Sequence, residues 1–427
     1  MADFDREEIG NRRLKVAAVT VAISPERGSE YSVGWNYVTE VSKDVDLFCF
    51  YGLAGSFLGD LEEIDKNEKA QKLKRVRFFG VKANWFSRGL NLLNKKGVFP
   101  YAFYFAYFFW HIDLVINIIR QHKRYRFDVI HYVCPIGFRE PGFLWLVGVP
   151  VIWGPIGGLE NTPTSLIGSL DKTKLLFFRV KNLVNYLTII LSPRVRYAFS
   201  KYEVIYAANS GNQQAIRHFF KREVECFPEN AVPDSWLCRP AAEINNERAL
   251  KLVWIGSSQE RKNLAILLEA LVRVQHRREI SISIIGDANE NQGWRELAVK
   301  FGVDVHLNWM GRLPRDQVFA ELSSGDYSII TSVMEGTPTT IWEAMAAGVP
   351  SIAFALCGMR DTLDNDAGVL IEATHYDQMV ESLAEKLMSL PKRDLEMTQN
   401  VRKVAERFSW SRRRSELLSA YMEINRQ

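Results

Sequence analysis

The chain has 427 residues, of which 47% are hydrophobic and 24% are charged. This is the composition of a globular protein, and the length exceeds what one hydrophobic core usually supports, so two domains are expected. The net charge of +4 is a weak basic excess that suits anionic small molecules or a membrane surface. It is too small for a nucleic-acid-binding protein, so no nucleic-acid partner is expected.

The cysteines and the N-terminal sequence indicate the reducing cytoplasm. The five cysteines lie far apart and include no C-x-x-C pair, which argues against a zinc site and against a disulfide framework. The sequence MADFDREEIGNRRLK is charged from its start and lacks the apolar core of a signal peptide, so export is not expected.

Short β-branched runs alternate with amphipathic helical stretches, a pattern typical of open parallel sheets with helices on both faces. In the first half the strand-like runs are 14–21, 46–51, 128–133, 149–153 and 204–207. In the second half they are 252–255, 280–285, 305–309, 327–331, 350–354 and 368–371. Between the halves, a segment from 230 to about 248 contains two prolines and no apolar period, which indicates a linker.

Two apolar stretches in the first half have two interpretations. Segment 98–119 is rich in aromatic residues but is interrupted by a proline and three polar side chains, which argues against a membrane-spanning helix. In segment 172–201, apolar and basic residues interleave. Either stretch can be a buried helix, or segments 98–126 and 172–201 can lie in a membrane interface. The second alternative predicts peripheral contact with the inner face of the cell membrane.

The predicted fold class is α/β, with two doubly wound, Rossmann-like domains facing each other across a cleft. The predicted ranges are 1–235 for the first domain, 236–405 for the second, and 406–427 for a terminal helix that returns to the first. In doubly wound sheets, ligands bind outside the carboxyl ends of the strands, so the loops that follow the strands are the places to search for a site.

The first such loop of the second half follows the strand 252–255. Gly256 opens a loop of small residues, and Arg261 and Lys262 stand where this loop meets an amphipathic helix. Two adjacent cations at such a junction suit a diphosphate, although they are also compatible with an ordinary surface.

The second loop belongs to the segment MEGTPTTIWEAMAAGVP, which holds Glu335 and Glu343 on either side of a turn. Thr337 is the predicted N-cap, and the start of the helix offers unpaired N–H groups to phosphate. A ligand with a diphosphate in its middle could reach one carboxylate with each polyol end. The alternative is that Glu335 caps the turn and that Glu343 is a solvated helix residue.

Four segments of the second half carry a resemblance: WIGSSQERKNLAILLEAL, IIGDANENQGWRELA, NWMGRLPRDQV and MEGTPTTIWEAMAAGVPSIAF. They resemble the successive signatures of the donor half of retaining glycosyltransferases of family 4 (glycosyl transferases group 1), which have the GT-B fold. The segments SPERGSEYSVGWNYV, IHYVCPIGFREPGFLWLVGVPVIWGPIGGLE and CFPENAVPD are similar to acceptor-half and junction segments of that family.

The resemblance implies a role for each candidate residue. Glu335 would contact the hydroxyls of the donor sugar, Glu343 the ribose, and Arg261 and Lys262 the diphosphate. The other implied donor-binding residues are Gly256, Gly311, Gly336, Thr337 and Thr339. On the acceptor side the implied residues are Gly28 and Ser29. Gly157 and Gly158 follow another strand and either permit the close approach of a ligand or serve only a tight turn. His131 matches a histidine near the reacting sugar, and its alternative is a hydrogen-bonded core histidine.

The resemblance further implies a cytoplasmic, retaining and metal-independent hexosyltransferase-type enzyme. Its co-substrate would be a UDP- or GDP-sugar, with no other cofactor. The two membrane-like stretches favour a lipid-linked or glycan acceptor in surface polysaccharide biosynthesis, and a soluble acceptor is the alternative. The alternatives are an epimerase or a phosphorylase on the same fold, or a non-catalytic subunit that binds nucleotide-sugars.

Overall fold

In a computed structural model of the chain, the described residues are 12–28, 30–95, 102–161, 163–167, 172–240, 244, 249–287, 292–363 and 366–426. They divide into two compact units. Unit 1 comprises the described residues within 1–160, 185–230 and 413–427, and unit 2 those within 161–184 and 231–412. The division therefore lies at 230, where the sequence predicted 235, and it assigns 161–184 to unit 2.

Seven parallel strands form the sheet of unit 1. They are β1 (Lys15–Thr20), β2 (Asp46–Tyr51), β3 (Val76–Gly80), β4 (Val129–Cys134), β5 (Val151–Ile156), β6 (Val204–Ala207) and β7 (Glu225–Cys226). Their order is β3-β2-β1-β4-β5-β6-β7. Because β1 and β4 are adjacent in the sheet but not in the chain, the strand order reverses between them, which is where such sheets bind ligands.

Helices connect these strands. They are α1 (Glu30–Val41), α2 (Glu62–Asp65), α3 (Glu68–Gln71), α4 (Trp85–Lys95), α5 (Ala102–Tyr125), α6 (Lys172–Leu191), α7 (Pro193–Lys201) and α8 (Ser210–Phe220). The long helix α5 buries Trp110, Leu114 and Ile118 completely. The spacing of four residues aligns these side chains along one face of the helix, and this face packs into the core of unit 1.

Unit 2 repeats the scheme with six parallel strands: β8 (Leu250–Ile255), β9 (Ile280–Ile285), β10 (Leu307–Gly311), β11 (Tyr327–Ile330), β12 (Ser351–Phe354) and β13 (Gly368–Ile371). Their order is β10-β9-β8-β11-β12-β13. The order reverses between β8 and β11, so the loops that follow these two strands flank the switch point. These are the loops that carry Arg261, Lys262 and Glu335.

The remaining helices are α9 (Asp234–Leu237), α10 (Leu264–Val274), α11 (Gln292–Lys300), α12 (Arg315–Ser324), α13 (Thr339–Ala346), α14 (Cys357–Thr362), α15 (Tyr376–Ser389), α16 (Leu395–Arg407) and α17 (Trp410–Ile424). Helix α10 buries Leu264, Leu267, Leu268 and Leu271 completely, as the apolar period predicts. Helix α17 begins in unit 2 and continues in unit 1.

The doubly wound α/β fold class predicted from the sequence is confirmed. Each predicted strand-like run overlaps an observed strand. The strands that the prediction omits, β3 and β7, form the two edges of the unit 1 sheet, and their side chains are half-buried or exposed. An edge strand lacks the continuous apolar run by which the central strands of a parallel sheet are recognised, which explains the omission.

Candidate functional site

The loop between β11 and α13 carries the two predicted carboxylates of unit 2. Helix α13 begins at Thr339 and Pro338 occupies the N-cap position, so the helix starts one residue later than the sequence predicted. Thr337 is buried and Thr339 is exposed at the helix start. The helix ends at Ala346, and Gly348 follows with a φ of +76°. This left-handed conformation favours glycine and closes the last turn of the helix.

Glu335 is held by the two predicted cations. Its Oε1 atom accepts hydrogen bonds from Lys262 Nζ at 2.5 Å and lies 2.8 Å from Arg261 NH1. Both cations belong to a 3₁₀ turn, Glu260–Lys262, that follows β8. Two further bonds fasten this turn to the β11 loop: Val333 N donates to Arg261 O, and Thr331 Oγ1 donates to Lys262 O. The structure therefore brings Arg261, Lys262 and Glu335 together.

Glu335 is ionised despite its burial. Removal from water opposes its charge, but the positive charges of Lys262 and Arg261 and hydrogen bonds from Lys262 and Ser332 outweigh that effect. The pKa of Glu335 consequently lies below its ordinary value. A carboxylate between two cations is a compact charged cluster whose partners a charged ligand can exchange.

Glu343 has a different environment, because it lies on helix α13 and not in the loop before it. Its closest cation is Arg315, whose NH2 atom is 3.6 Å from Glu343 Oε1 and whose guanidinium lies over the ring of Trp236. Burial dominates here, and it raises the pKa of Glu343 above its ordinary value even though Arg315 opposes the shift. The role of Arg315 was not predicted, because no motif marks a cation at the start of α12.

Three glycines bring neighbouring loops of unit 2 into close contact. Gly256 N donates to Ile285 O, and Gly286 N donates to Gly311 O at 2.8 Å. A Cβ atom on Gly286 would lie 2.0 Å from the carbonyl oxygen of Gly256, so a side chain cannot fit there. The predicted residues Gly256 and Gly311 therefore lie on either side of Gly286, which the sequence analysis did not identify.

A fourth close approach involves the loop of Glu335. Gly358 N donates to Glu335 O at 3.0 Å, and a Cβ atom on Gly358 would lie 2.1 Å from the carbonyl oxygen of Gly336. The start of α14 thus supports the predicted residue Gly336. Residue spacing alone gives no signal for this contact, because the two loops follow different strands.

Asp287 connects three loops of unit 2 and was also not predicted. Its Oδ1 atom accepts a hydrogen bond from Ser258 N at 2.7 Å, and its Oδ2 atom pairs with Arg312 NH2 at 2.8 Å. Asp287 follows β9, Ser258 follows β8 and Arg312 follows β10. The carboxylate therefore cross-links the carboxyl ends of three adjacent strands and orders this edge of the sheet.

The predicted acceptor-side glycines lie in unit 1. Gly157 N donates to Ile136 O, so the loop after β5 pairs with the loop after β4. Gly158 is exposed and has a φ of +82°, which requires the freedom of a glycine. A Cβ atom on Gly28 would meet nothing within 4 Å, so this exposed glycine makes no close contact. Ser29 lies outside the described residues.

His131 lies inside β4 and is 1% exposed. Its Nδ1 atom is 2.7 Å from Tyr421 Oη and 3.1 Å from Tyr37 Oη, and its Nε2 atom is 3.0 Å from Gly154 O. Burial lowers the pKa of His131 to about 4, although the Gly154 carbonyl opposes the shift. Both ring nitrogens thus have protein partners, which favours the core-histidine alternative over a role at the reacting sugar.

Helices α4, α5, α6 and α7 expose large apolar side chains. On α6 and α7 these are Leu176, Phe177, Val180, Leu183, Val184, Tyr186, Leu187, Ile190, Leu191 and Tyr197. On α4 and α5 they are Trp85, Phe86, Leu92, Leu93, Tyr104, Phe105, Ile112 and Ile116. Contiguous apolar surfaces of this kind mark sites that bind proteins or membranes.

Among the described helices, α5 is long and apolar enough to cross a membrane. Helices α6 and α7, bent by 58° where they join, meet the same criterion only if taken together as one span. Length and composition do not separate a spanning helix from a core helix, and α5 packs one face into unit 1. Within the part of the chain that the structure describes, no group of three or more His, Cys, Asp or Glu side chains could hold a metal ion.

Comparison with known proteins agrees with this architecture. Residues 240–404 match the sequence profile of glycosyl transferases group 1. The solved structure of WaaB, a lipopolysaccharide outer core galactosyltransferase, superimposes with a TM-score of 0.66 over 96% of this chain and 99% of WaaB, at 15% identity. Anabaena HepE, solved in complex with UDP, gives a TM-score of 0.61 over 96% of this chain and 100% of HepE, at 13% identity. The chain has the GT-B fold.

A curated relative is the D-inositol 3-phosphate glycosyltransferase of Corynebacterium aurimucosum, which is 23% identical over 222 residues. The match covers 47% of this chain and 52% of the relative. The chain thus spans about half or less of the length of the first curated relatives that it matches.

Proposed function

Because residues 240–404 match the sequence profile of glycosyl transferases group 1, we propose that this protein is a glycosyltransferase. It transfers a sugar from a nucleotide diphosphate sugar to a hydroxyl group of an acceptor. The observation that carries the proposal is the cluster of Arg261, Lys262 and Glu335 at the switch point of unit 2, with Glu343 on the helix that follows Glu335. The UDP bound to HepE is consistent with a UDP-sugar donor, and a GDP-sugar is the alternative.

Each residue has a distinct task in this proposal. Arg261 and Lys262 bind the diphosphate, and their positive charges stabilise the negative charge that develops on the leaving nucleotide. Glu335 accepts hydrogen bonds from hydroxyls of the donor sugar, and Glu343 accepts them from the ribose. Charge stabilisation by these two cations allows the reaction to proceed without a metal.

We further propose that transfer retains the anomeric configuration of the donor sugar. The leaving phosphate deprotonates the acceptor hydroxyl on the face from which it departs, so no protein side chain has to act as the base. Glu335 and the two cations then hold the sugar and the phosphate while the acceptor attacks. The acceptor is assigned to the carboxyl end of the unit 1 sheet, near Gly157 and Gly158.

Calorimetric titration with UDP, GDP and ADP in the presence of a chelator tests the donor assignment. We expect one diphosphate to bind the wild type with a dissociation constant in the micromolar range. Glu343→Ala should weaken that binding by about tenfold, because a ribose hydroxyl loses a charged acceptor. Equal binding to Glu343→Ala, or no binding of any diphosphate, would contradict the assignment.

For the acceptor we propose a glycan or a lipid-linked molecule in surface polysaccharide biosynthesis, reached at the inner face of the cell membrane. WaaB, which shares the fold, is described as a lipopolysaccharide galactosyltransferase. Segment 172–201 contains no Asp or Glu, and four of its basic residues, Arg179, Lys181, Arg196 and Lys201, are exposed, whereas Arg194 is half-buried and pairs with Glu140. An exposed apolar helix surrounded by cations suits an anionic bilayer.

Sedimentation with phosphatidylglycerol vesicles tests the membrane contact. Leu183→Ser and Leu187→Ser should each weaken binding to vesicles by about tenfold, because one leucine loses its apolar environment. Leu395→Ser on α16 is the control, since Leu395 is also exposed, lies outside segment 172–201 and stands between the acidic residues Asp394 and Glu396. Equal vesicle binding by all three variants would contradict a contact through α6.

A further inference from the structure

In the structure, the two cations of the candidate donor site are already paired with a carboxylate of the protein. Arg261 and Lys262 both contact the same oxygen of Glu335, at 2.8 and 2.5 Å. The proposed function, on which this inference rests, requires those same cations to bind a diphosphate. Glu335 and a donor therefore compete for one pair of positive charges.

The competition is strong because the cluster is largely shielded from water. The side chains of Glu335 and Lys262 are 12% and 15% exposed. Charges interact more strongly in such a site than in bulk water, so an incoming phosphate is repelled by the carboxylate as well as attracted by the cations. The affinity for a diphosphate is consequently the difference between two large interactions.

We propose that Glu335 is an internal counter-anion that the donor's diphosphate displaces from Arg261 and Lys262. The displaced carboxylate is then available to accept hydrogen bonds from the donor sugar. One residue thus couples the phosphate end of the donor to its sugar end, and it makes recognition of the sugar depend on prior capture of the diphosphate. No covalent bond changes in this exchange.

The cations can keep their positions when the carboxylate leaves. Arg261 retains hydrogen bonds to Gln259 Oε1 at 2.8 Å and to Met334 O at 3.2 Å. The backbone of Lys262 remains fixed by Thr331, whose hydroxyl donates to Lys262 O at 2.7 Å. The exchange therefore needs a movement of the Glu335 side chain and no rearrangement of the turn that carries the cations.

Glu343 provides the matched control. It is the other predicted carboxylate of the same segment, but Arg315, the cation that pairs with it, is 3.6 Å away, and the Arg315 side chain is 58% exposed. Neutralising Glu343 releases no cation that the proposal assigns to the diphosphate. The two glutamates should therefore respond to the same substitution in opposite directions.

The experiment is calorimetric titration of the full chain with UDP, GDP, UMP and GMP, using the wild type, Glu335→Gln, Glu335→Asp and Glu343→Gln. Glu335→Gln should bind the preferred diphosphate about tenfold more tightly than the wild type, because a charged competitor for the cations has been removed. Glu335→Asp keeps the charge and should stay within about threefold of the wild type. Glu343→Gln should bind the diphosphate more weakly.

Titration with UMP and GMP tests whether the tighter binding by Glu335→Gln requires the second phosphate of the nucleotide. For UMP or GMP we expect the affinities of Glu335→Gln and the wild type to agree within about twofold, since the terminal phosphate that displaces Glu335 is missing. If Glu335→Gln does not fold, Glu335→Ala carries the same test. Diphosphate binding that is unchanged or weaker in the neutral variant would overturn the inference and leave the proposed function standing. If neither UDP nor GDP binds the wild type, the proposed function itself fails.

Discussion

The two units use the same sheet architecture but differ in the polar contacts at their central strands. In unit 2, the loops after the strands present ion pairs, with Glu335 between Arg261 and Lys262 and Asp287 beside Arg312. In unit 1, the polar side chains of the central strand β4 are turned inward and form buried hydrogen bonds. Ion pairs at a loop edge can be exchanged for a charged ligand, whereas buried hydrogen bonds hold a scaffold together.

The scaffold of unit 1 contains two histidine clusters. His131 joins β4 to Tyr37 on α1 and to Tyr421 on α17. His111, on α5, contacts the hydroxyl of Tyr132 through Nε2 at 2.7 Å and the carbonyl of Tyr107 through Nδ1 at 2.9 Å. Burial lowers the pKa of His111 to about 3. Both rings are therefore neutral near pH 7 and serve as hydrogen-bonding groups.

The largest effect is expected from His131→Phe. The substitution removes the hydrogen-bond partner of Gly154 O and the shared partner of two buried tyrosine hydroxyls, which should lower the free energy of unfolding by about 3 kcal/mol. Hydrogen exchange read by mass spectrometry should show faster exchange in β4 and α17. The dissociation constant of the preferred nucleotide diphosphate should be unchanged, because its site lies in unit 2.

The outcome of that substitution separates the two alternatives for His131. If His131→Phe keeps the stability of the wild type while abolishing sugar transfer, the histidine acts on the substrate and the comparison between the units fails. The variant His131→Asn, which can keep part of the hydrogen bonding, should be intermediate in stability.

The next largest effect is a loss of diphosphate affinity when Lys262 in unit 2 is substituted. Lys262→Met keeps most of the apolar stem and removes a cation, so we expect diphosphate binding to weaken by about 100-fold, or about 2.7 kcal/mol. Arg312→Met, in the ion pair with Asp287, is the control and should weaken binding by less than about fivefold, because its side chain is 73% exposed. Equal losses in the two variants would show that charge in general, and not the Glu335 cluster, governs binding.

The pH dependence of stability follows from the neutral histidines. Their folded pKa values, about 4 for His131 and about 3 for His111, lie below the ordinary value of 6.5. The unfolded chain therefore binds more protons than the folded chain below pH 6.5, and stability falls as the pH falls through that window.

Glu140 opposes this trend. Burial raises its pKa to about 7, although Arg194 at 2.9 Å opposes the shift. This carboxyl group therefore adds stability below its ordinary pKa of 4.5, and that stability is lost as the pH rises toward 7. When the pH falls from 7 to 5, we expect the free energy of unfolding, measured by urea denaturation, to fall by about 2 kcal/mol. In His111→Gln the free energy of unfolding should depend less steeply on pH. If the free energy of unfolding of His111→Gln depends on pH as steeply as that of the wild type, His111 is not the cause of the pH dependence.

How far the sequence predicts the molecule also differs between the units. The central strands and the amphipathic face of α10 are encoded in local apolar periods, and the sequence predicts them. The proposed donor-site residues of unit 2 lie in short segments that directly follow strands, so Arg261, Lys262 and Glu335 could be grouped before the structure was known. The ion pairs between these residues could not be predicted, because they depend on which strands are neighbours in the sheet.

Contacts between residues that are far apart in the chain cannot be predicted from local sequence patterns. His131 meets Tyr421, which lies 290 residues away in the sequence, and Asn263 Nδ2 donates to Leu166 O, 97 residues away. For the same reason the contact between Gly358 and Gly336 could not be predicted from the sequence. Three-dimensional neighbours of this kind decide whether a histidine is a catalyst or a core residue.

The smallest effect on diphosphate affinity is expected from substitution of Arg315, which is compared with Lys262 in the same unit. Its guanidinium is 58% exposed and 3.6 Å from Glu343, so solvent screens the pair and its contribution to stability should be below about 1 kcal/mol. Arg315→Gln should change diphosphate affinity by less than about fivefold, against about 100-fold for Lys262→Met. Titration of the two variants side by side measures the difference. A comparable loss in Arg315→Gln would mean that the exposed cation also reaches the diphosphate, and the assignment of the phosphate to Arg261 and Lys262 alone would then be wrong.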